Sequence, residues 1–211
     1  GAVTGVKDQG YCGSCWSFSS TGAMEGMHFL DSGKLVSLSE QQFVDCARAR
    51  YGNFGCNGGL QQRAFKYVKD GNKIELESDY PYAGVDQSCS YDASKGAVGL
   101  SGWTMVAASN PDAMKAALCD RPLAVSIEAD KYCFQTYKTG VLTSDKCGTT
   151  LDHAVLAVGF GTENGQDYWL VKNSWGTSWG SAGYIKIGSD TNQCGVLNQA
   201  GYPSVTGSVA V

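Results

Sequence analysis

An odd number of cysteines constrains this chain more than any other feature. Nine occur in 211 residues, a density that belongs to an oxidising compartment, where thiols pair. Eight can pair and one is left over, and eight alone allow roughly a hundred connectivities, so spacing does not choose among them. A disulfide-rich protein that keeps one thiol outside its bridges often keeps it for chemistry.

The residue best placed for that role is Cys15. It lies in Q-G-Y-C-G-S-C-W-S-F over residues 9–18, beside Trp16, with Cys12 and Gln9 ahead of it. From Trp16 onward the apolar residues Ala23, Met24, Met27 and Leu30 recur at helical spacing, and Gly33 offers a stop. Cys15 is therefore expected at the N-terminus of a helix, where backbone N–H groups and the helix dipole favour an anion. A thiolate is such an anion and is the nucleophilic form of cysteine. Cys12-Gly-Ser-Cys15 is also a C-x-x-C, which elsewhere forms a redox pair or half a zinc site. No βαβ pattern precedes it and no second C-x-x-C or H-x-x-x-H follows.

A cysteine nucleophile needs a base, and the chain has two histidines. His28 lies 13 residues beyond Cys15; on a continuous helix that is roughly 20 Å away, so it reads as a structural side chain. His153 is left as the partner, opening the strand-like run H-A-V-L-A-V-G-F.

Length fits one large domain or two small ones with an ample core. The 43% apolar and 17% charged content is globular rather than disordered. A net charge of −4 leaves no basic footprint for nucleic acid, and no apolar run approaches bilayer-spanning length. Disulfide density without a targeting segment reads as a mature form processed from a longer precursor.

The first half reads as helical. A helix after Cys15 is followed by one from a capping box, Ser37 with Glu40 or Ser39 with Gln42, to about Cys46. A third helix carries Leu60, Ala64 and Val68 and ends at Gly71. Residues 71–102 read as loop with short strands. In the second half Asn110-Pro111 starts a helix reaching Cys119. Strands are predicted at 122–129, 152–160, 167–173 and 182–188, with turn material such as G-T-E-N-G between them. Helices first and strands after make this an α+β chain.

C-G-S-C-W at 12–16, S-E-Q-Q-F-V-D-C at 39–46, G-C-N-G-G at 55–59, D-H-A-V at 152–155 and N-S-W-G-T-S-W-G at 173–180 resemble, in order, the landmarks of the papain-like cysteine peptidases of papain and cathepsin L type. The resemblance implies a two-lobed fold. A helical left lobe takes residues 1–105, with 200–211 returning to it. An antiparallel β-barrel-like right lobe takes 106–199, with an active-site cleft between the lobes. It implies a cysteine endopeptidase in which Cys15 and His153 form a thiolate–imidazolium pair, Asn173 orients the imidazole, and Gln9 with the Cys15 N–H holds the oxyanion. Trp175 would shield the His–Asn bond from water. A neutral Asn suits the ion pair, because a carboxylate would compete with the thiolate for the cation. An ordinary thiol titrates near 8.5 and the family's type thiol near about 3–4, a difference worth roughly 6 kcal/mol. A helix end supplies only about 0.3–2 kcal/mol, so the imidazolium must supply most of it.

Gly58 and Gly59, with the Asp152 carbonyl opposite, would let an extended peptide lie along the backbone as an added strand. Gln61, Ser126, Leu151, Ala154 and Gln199 would line the pocket for the second residue before the scissile bond, favouring Leu, Val or Phe over Arg. The family likeness also implies the disulfides Cys12–Cys56, Cys46–Cys89 and Cys147–Cys194, and Cys119–Cys133 is expected as a fourth. No cofactor or metal is expected. Expected partners are peptide or protein substrates in extended conformation, the chain's own inhibitory propeptide and cystatin-like inhibitors. Neither nucleic acid nor membrane is expected as a partner, and the chain is expected to be a monomer in a lysosome, vacuole or secreted fluid. The family's chains usually begin with a segment containing D-W-R that is not seen here, and a catalytically silent binding or storage protein on the same fold is the rival reading.

Overall fold

The computed structural model describes residues 1–144 and 146–205. The chain divides into two compact units. The first holds residues 1–4, 9–104 and the described chain from Tyr202; the second holds 5–8 and 105–201. Residues 206–211 of the segment expected to return to the helical lobe lie outside the described residues.

The first unit is built on three helices, α1 (Cys15–Ser32), α2 (Glu40–Cys46) and α3 (Gln61–Lys69). Helix α1 ends where Gly33 adopts φ 72° and donates its N–H to the Phe29 carbonyl, the usual left-handed helix stop. Of the two caps possible for α2, Ser39 is the one used: its hydroxyl accepts from Gln42 N–H. The Gln42 side chain does not reciprocate, reaching the Tyr67 hydroxyl and the Lys73 carbonyl instead. Trp16 and Met24 of α1, Phe43 of α2 and Phe65 of α3 are fully buried, and Trp16 meets Phe43 at 6.2 Å between centroids. The apolar stripe predicted on α1 runs out before its end, for Leu30 is exposed.

In the second unit β2 (Leu123–Ile127), β4 (His153–Glu163), β5 (Gln166–Lys172), β6 (Tyr184–Gly188) and the short β3 (Val141–Leu142) lie side by side in that order. β2 to β6 pair antiparallel, whereas β3 runs parallel to β6, which departs from the all-antiparallel expectation. Asn164 and Gly165 both take positive φ between β4 and β5, the conformation a two-residue hairpin requires. Helix α4 (Pro111–Asp120) starts at Asn110, whose side chain accepts from Ala113 N–H; α5 (Tyr132–Gln135) is a single turn. The start of β7 (Ala200–Val205) pairs with β2, and its remainder lies beside β1 (Leu100–Met105) in the first unit. Every residue of β2 is buried, and Trp169, Val171, Ile185 and Ile187 complete the sheet's core face.

Candidate active site

Cys15 is the first residue of α1 and is half-buried. Ser14 occupies the capping position before it, yet its hydroxyl makes no bond to the first-turn N–H groups. The N-terminal pole of an 18-residue helix is thus left without the side-chain cap that would compete with an anion there. Gln9 is buried, and its Nε2 donates to the Cys12 carbonyl at 3.0 Å. That bond fixes the amide across the turn leading to Cys15.

His153 opens β4 and is buried. Its Nε2 lies 2.7 Å from Asn173 Oδ1, and the same oxygen accepts the Ser174 N–H at 2.8 Å. A flipped amide would set Nδ2 against the Ser174 donor, so Oδ1 faces the ring and Nε2 must carry the proton. The Asn173 backbone N–H donates to Gly183 O at 3.0 Å, which fixes the residue's place at the end of β5. Nδ1 is thereby the nitrogen left without a proton in the neutral ring. Asn173 Nδ2 is buried with no acceptor among the described residues, a local cost of about 1–3 kcal/mol incurred in holding the ring.

The Trp175 ring lies 4.7 Å from the His153 ring between centroids, and Phe134 of α5 meets Trp175 edge-on at 5.6 Å. Burial pulls the imidazole pKa below its ordinary value, while the Asn173 bond and the Asp152 charge pull it back up. A protonated ring here calls for a nearby anion. His28, buried on α1, has no such role: burial lowers its pKa too, opposed by Asp31.

Two acidic side chains tie the end of β2 to the segment that delivers His153. Asp152 accepts the Ala129 N–H at 2.7 Å and the Asp130 N–H at 3.2 Å, while its own N–H donates to Ile127 O. Glu128 reciprocates by accepting Thr150 N–H, and Lys131 holds its other oxygen at 2.8 Å. Asp152 therefore anchors the ring's strand with its side chain as well as its backbone; sequence reasoning had considered only its carbonyl.

The residues expected to line the specificity pocket divide unevenly. Ser126 pairs with Ala154 across β2 and β4 and donates its N–H to the Gln199 carbonyl at 2.9 Å, so these three are neighbours. Leu151 stands two residues before His153, half-buried, its methyl close to Gly195. Gln61 behaves otherwise: it is buried and its Nε2 turns to Ser19 of α1 at 3.3 Å. Its neighbour Leu60 is the exposed apolar side chain at the start of α3. Sequence reading placed it on the apolar stripe of that helix with Ala64 and Val68, whereas it lies exposed before the first turn.

Gly58 and Gly59 differ in what they require. Gly58 has φ +106°, and a Cβ there would meet nothing within 4 Å. At Gly59 a Cβ would lie 2.7 Å from the Trp16 ring and 2.6 Å from Asn53 Oδ1. That glycine is demanded by internal packing, whatever approaches its outer side.

Cys12–Cys56, Cys46–Cys89 and Cys147–Cys194 are bridged. Cys12 is therefore no dithiol partner for Cys15, which disposes of the C-x-x-C redox pair. The fourth bridge expected between Cys119 and Cys133 is not made: the first is an exposed thiol in the last turn of α4, the second a half-buried one in α5. They flank opposite ends of β2, a strand roughly 17 Å long, whereas a bridge needs Cα atoms within about 7 Å.

Comparison with known proteins bears on this arrangement. The chain is 52% identical over 208 residues to digestive cysteine proteinase 1 of Homarus americanus, covering 97% of this chain and 65% of that protein. It is 52% identical over 209 residues to cathepsin L of Sarcophaga peregrina, covering 97% of this chain and 61% of that one. It thus spans a little under two thirds of the length of these relatives. Among solved structures, digestive procathepsin L 3 of Tenebrio molitor larval midgut superposes with a TM-score of 0.92 at 44% identity, covering 96% of this chain and 67% of that chain. The family model of the papain family cysteine proteases matches residues 1–204, and the chain belongs to that family.

Proposed function

We propose that this chain is a cysteine endopeptidase that hydrolyses peptide bonds through an acyl-enzyme. The observation that carries the proposal is the hydrogen-bond pattern at Asn173, which leaves His153 one tautomer and Nδ1 as its working nitrogen. Burial disfavours the charged ring, so the imidazolium needs a counter-anion, and the Cys15 thiolate is the anion we assign to it.

The thiolate sulfur adds to the peptide carbonyl carbon, and the displaced π pair becomes an oxyanion. The Cys15 N–H and the Gln9 side chain receive that charge. Collapse of the adduct breaks the C–N bond, and the amine leaves with the proton of the imidazolium. Water, deprotonated by His153, then attacks the thioester, frees the acid and restores the thiolate. Asn173 holds the ring through both proton transfers, and Trp175 covers that bond.

Ser126, Ala154, Leu151 and Gln199 form an apolar to neutral set, which supports Leu, Val or Phe rather than Arg as the second residue before the scissile bond. Extended peptides, the chain's own propeptide and cystatin-like inhibitors are the partners this reading implies, with the chain acting as a monomer. Three disulfides support a lysosomal, vacuolar or secreted setting. At pH 5, one equivalent of iodoacetamide should alkylate Cys15 and abolish hydrolysis of a fluorogenic peptide with Leu at the second position. Cys15→Ala should be equally inactive while keeping its fold. Hydrolysis surviving either treatment, or a peptide series preferring Arg, would refute the corresponding part of the proposal.

A further inference from the structure

Tyr80-Pro81-Tyr82 lies within residues 71–102, read from sequence as loop with short strands and given no role. The structure brings Tyr82 onto the segment that carries both proposed oxyanion donors. Its hydroxyl donates to the Gln9 carbonyl at 2.8 Å and lies 2.6 Å from Ser14 Oγ. A phenol has one hydrogen, and a carbonyl can only accept. That hydrogen is therefore spent on Gln9, and Ser14 must be the donor in the second contact. The other acceptor near Ser14 Oγ, the Cys12 carbonyl, is farther away at 3.4 Å. The result is one directed chain, from the Ser14 hydroxyl through the Tyr82 hydroxyl to the Gln9 carbonyl.

The Ser14 hydroxyl donates to the phenol and makes no cap bond to α1, whereas at α2 the Ser39 hydroxyl donates to the Tyr80 carbonyl and accepts a helix N–H as well. The phenol itself is a fixed post. Its ring meets Phe18 edge-on at 4.9 Å, and the Tyr82 N–H donates to Glu77 at 2.8 Å. Residues 9–14 are thus held at both ends by one side chain from 68 residues away, and Gln9 closes across the middle onto Cys12.

We propose that Tyr82 is the positioning residue for the oxyanion donors, setting the Gln9 backbone and the start of α1 in one register. The proposal rests on the assignment of Gln9 and the Cys15 N–H as those donors. Loss of a donor costs about 10²–10³ in turnover; loosening one should cost less, because its bond is weakened rather than abolished.

The test is a double-mutant cycle with Tyr82→Phe, which removes the hydroxyl and keeps the ring against Phe18, and Gln9→Ala. Tyr82→Phe should lower kcat roughly tenfold with KM within about twofold. Added to Gln9→Ala it should cost clearly less than that tenfold, about two- to threefold, since one of the two donors it positions is already gone and the Cys15 N–H alone remains. Alkylation of Cys15 by iodoacetamide should proceed at the unaltered rate, because displacement at a saturated carbon builds no oxyanion. Ser14→Ala, which cuts the same chain from its other end, should lower kcat by about two- to threefold and serves if Tyr82→Phe does not fold. A Tyr82→Phe loss that multiplies in full on Gln9→Ala, alkylation slowed in step with hydrolysis, or unchanged kcat in the foldable variants would each overturn the proposal while leaving the protease reading intact. Unimpaired turnover in Gln9→Ala would overturn the oxyanion assignment itself, and the proposal with it.

Discussion

Gly59→Ala separates packing from substrate access at the glycine pair. The added Cβ would lie 2.6 Å from Asn53 Oδ1 and 2.7 and 2.8 Å from two atoms of the Trp16 ring. Neither neighbour has room to retreat. Trp16 is fully buried, donates its ring N–H to Gly55 O at 3.1 Å and lies against Phe43. Asn53 is fully buried too, donating to Ala47 O and accepting Leu60 N–H, each at 2.9 Å. Overpacking of this kind costs about 1–3 kcal/mol, and three clashes against pinned groups place it in the upper half of that range. For a chain of this length each kcal/mol moves the thermal midpoint by about 2–4 °C, so a fall of roughly 4–12 °C is expected. The measurement is differential scanning calorimetry on iodoacetamide-blocked protein, which cannot digest itself during the scan. A thermal midpoint equal to wild type, together with a raised KM in the unblocked variant, would show that the glycine serves substrate alone and that the packing argument is wrong.

Three further outcomes are expected. Asn173→Ala removes the oxygen shared by the imidazole and the Ser174 N–H; a buried bond to a charged group is worth about 1.5–3 kcal/mol, so kcat/KM should fall roughly 10- to 150-fold, and a loss under twofold would contradict the tautomer argument. In the S-carbamidomethyl protein, NMR should find His153 titrating below 6.5, because burial outweighs the Asn173 and Asp152 contributions. The unfolded chain then binds the extra proton first, so this residue's stabilising share is full above about 6.5 and is lost as pH falls towards the lowered value; a ring titrating above 6.5 with the thiol blocked would contradict this. Denatured, unreduced protein should take up three alkyl groups, at Cys15, Cys119 and Cys133, as counted by mass spectrometry, and uptake of one would restore the fourth bridge.

Features with a local physical cause were the legible ones. The stop at Gly33, the Ser39 cap and the Asn110-Pro111 start each depend on residues within one turn, and each helix begins or ends where that chemistry places it. The β4–β5 hairpin follows from Asn164-Gly165 in the same way. Strand β7 was missed because Gly201 and Pro203 argue against a strand, although its opening residues pair with β2 and are buried there. β3 has only two residues and α5 only four, too few to show a period. At the site, the roles proposed for Cys15 and His153 rest on residue type and chemical need. The Gln61 assignment depended on which of two adjacent residues faces outward, and that is set by the phase at which α3 begins. The Cys119–Cys133 expectation failed although a strand was predicted at 122–129 between them: the two were paired as the cysteines left over, without setting the length of that strand against the reach of a disulfide.

The bridge from Cys12 to Cys56 has a consequence for the life of Cys15 under oxidation. A sulfenic acid on a reactive cysteine is usually rescued when a nearby thiol condenses with it and is then reduced in turn. Here the sulfur three residues upstream is already spent in a disulfide, so it offers no resolving thiol. Cys12 therefore cannot return an oxidised Cys15 to the thiol by the C-x-x-C route open to a dithiol pair.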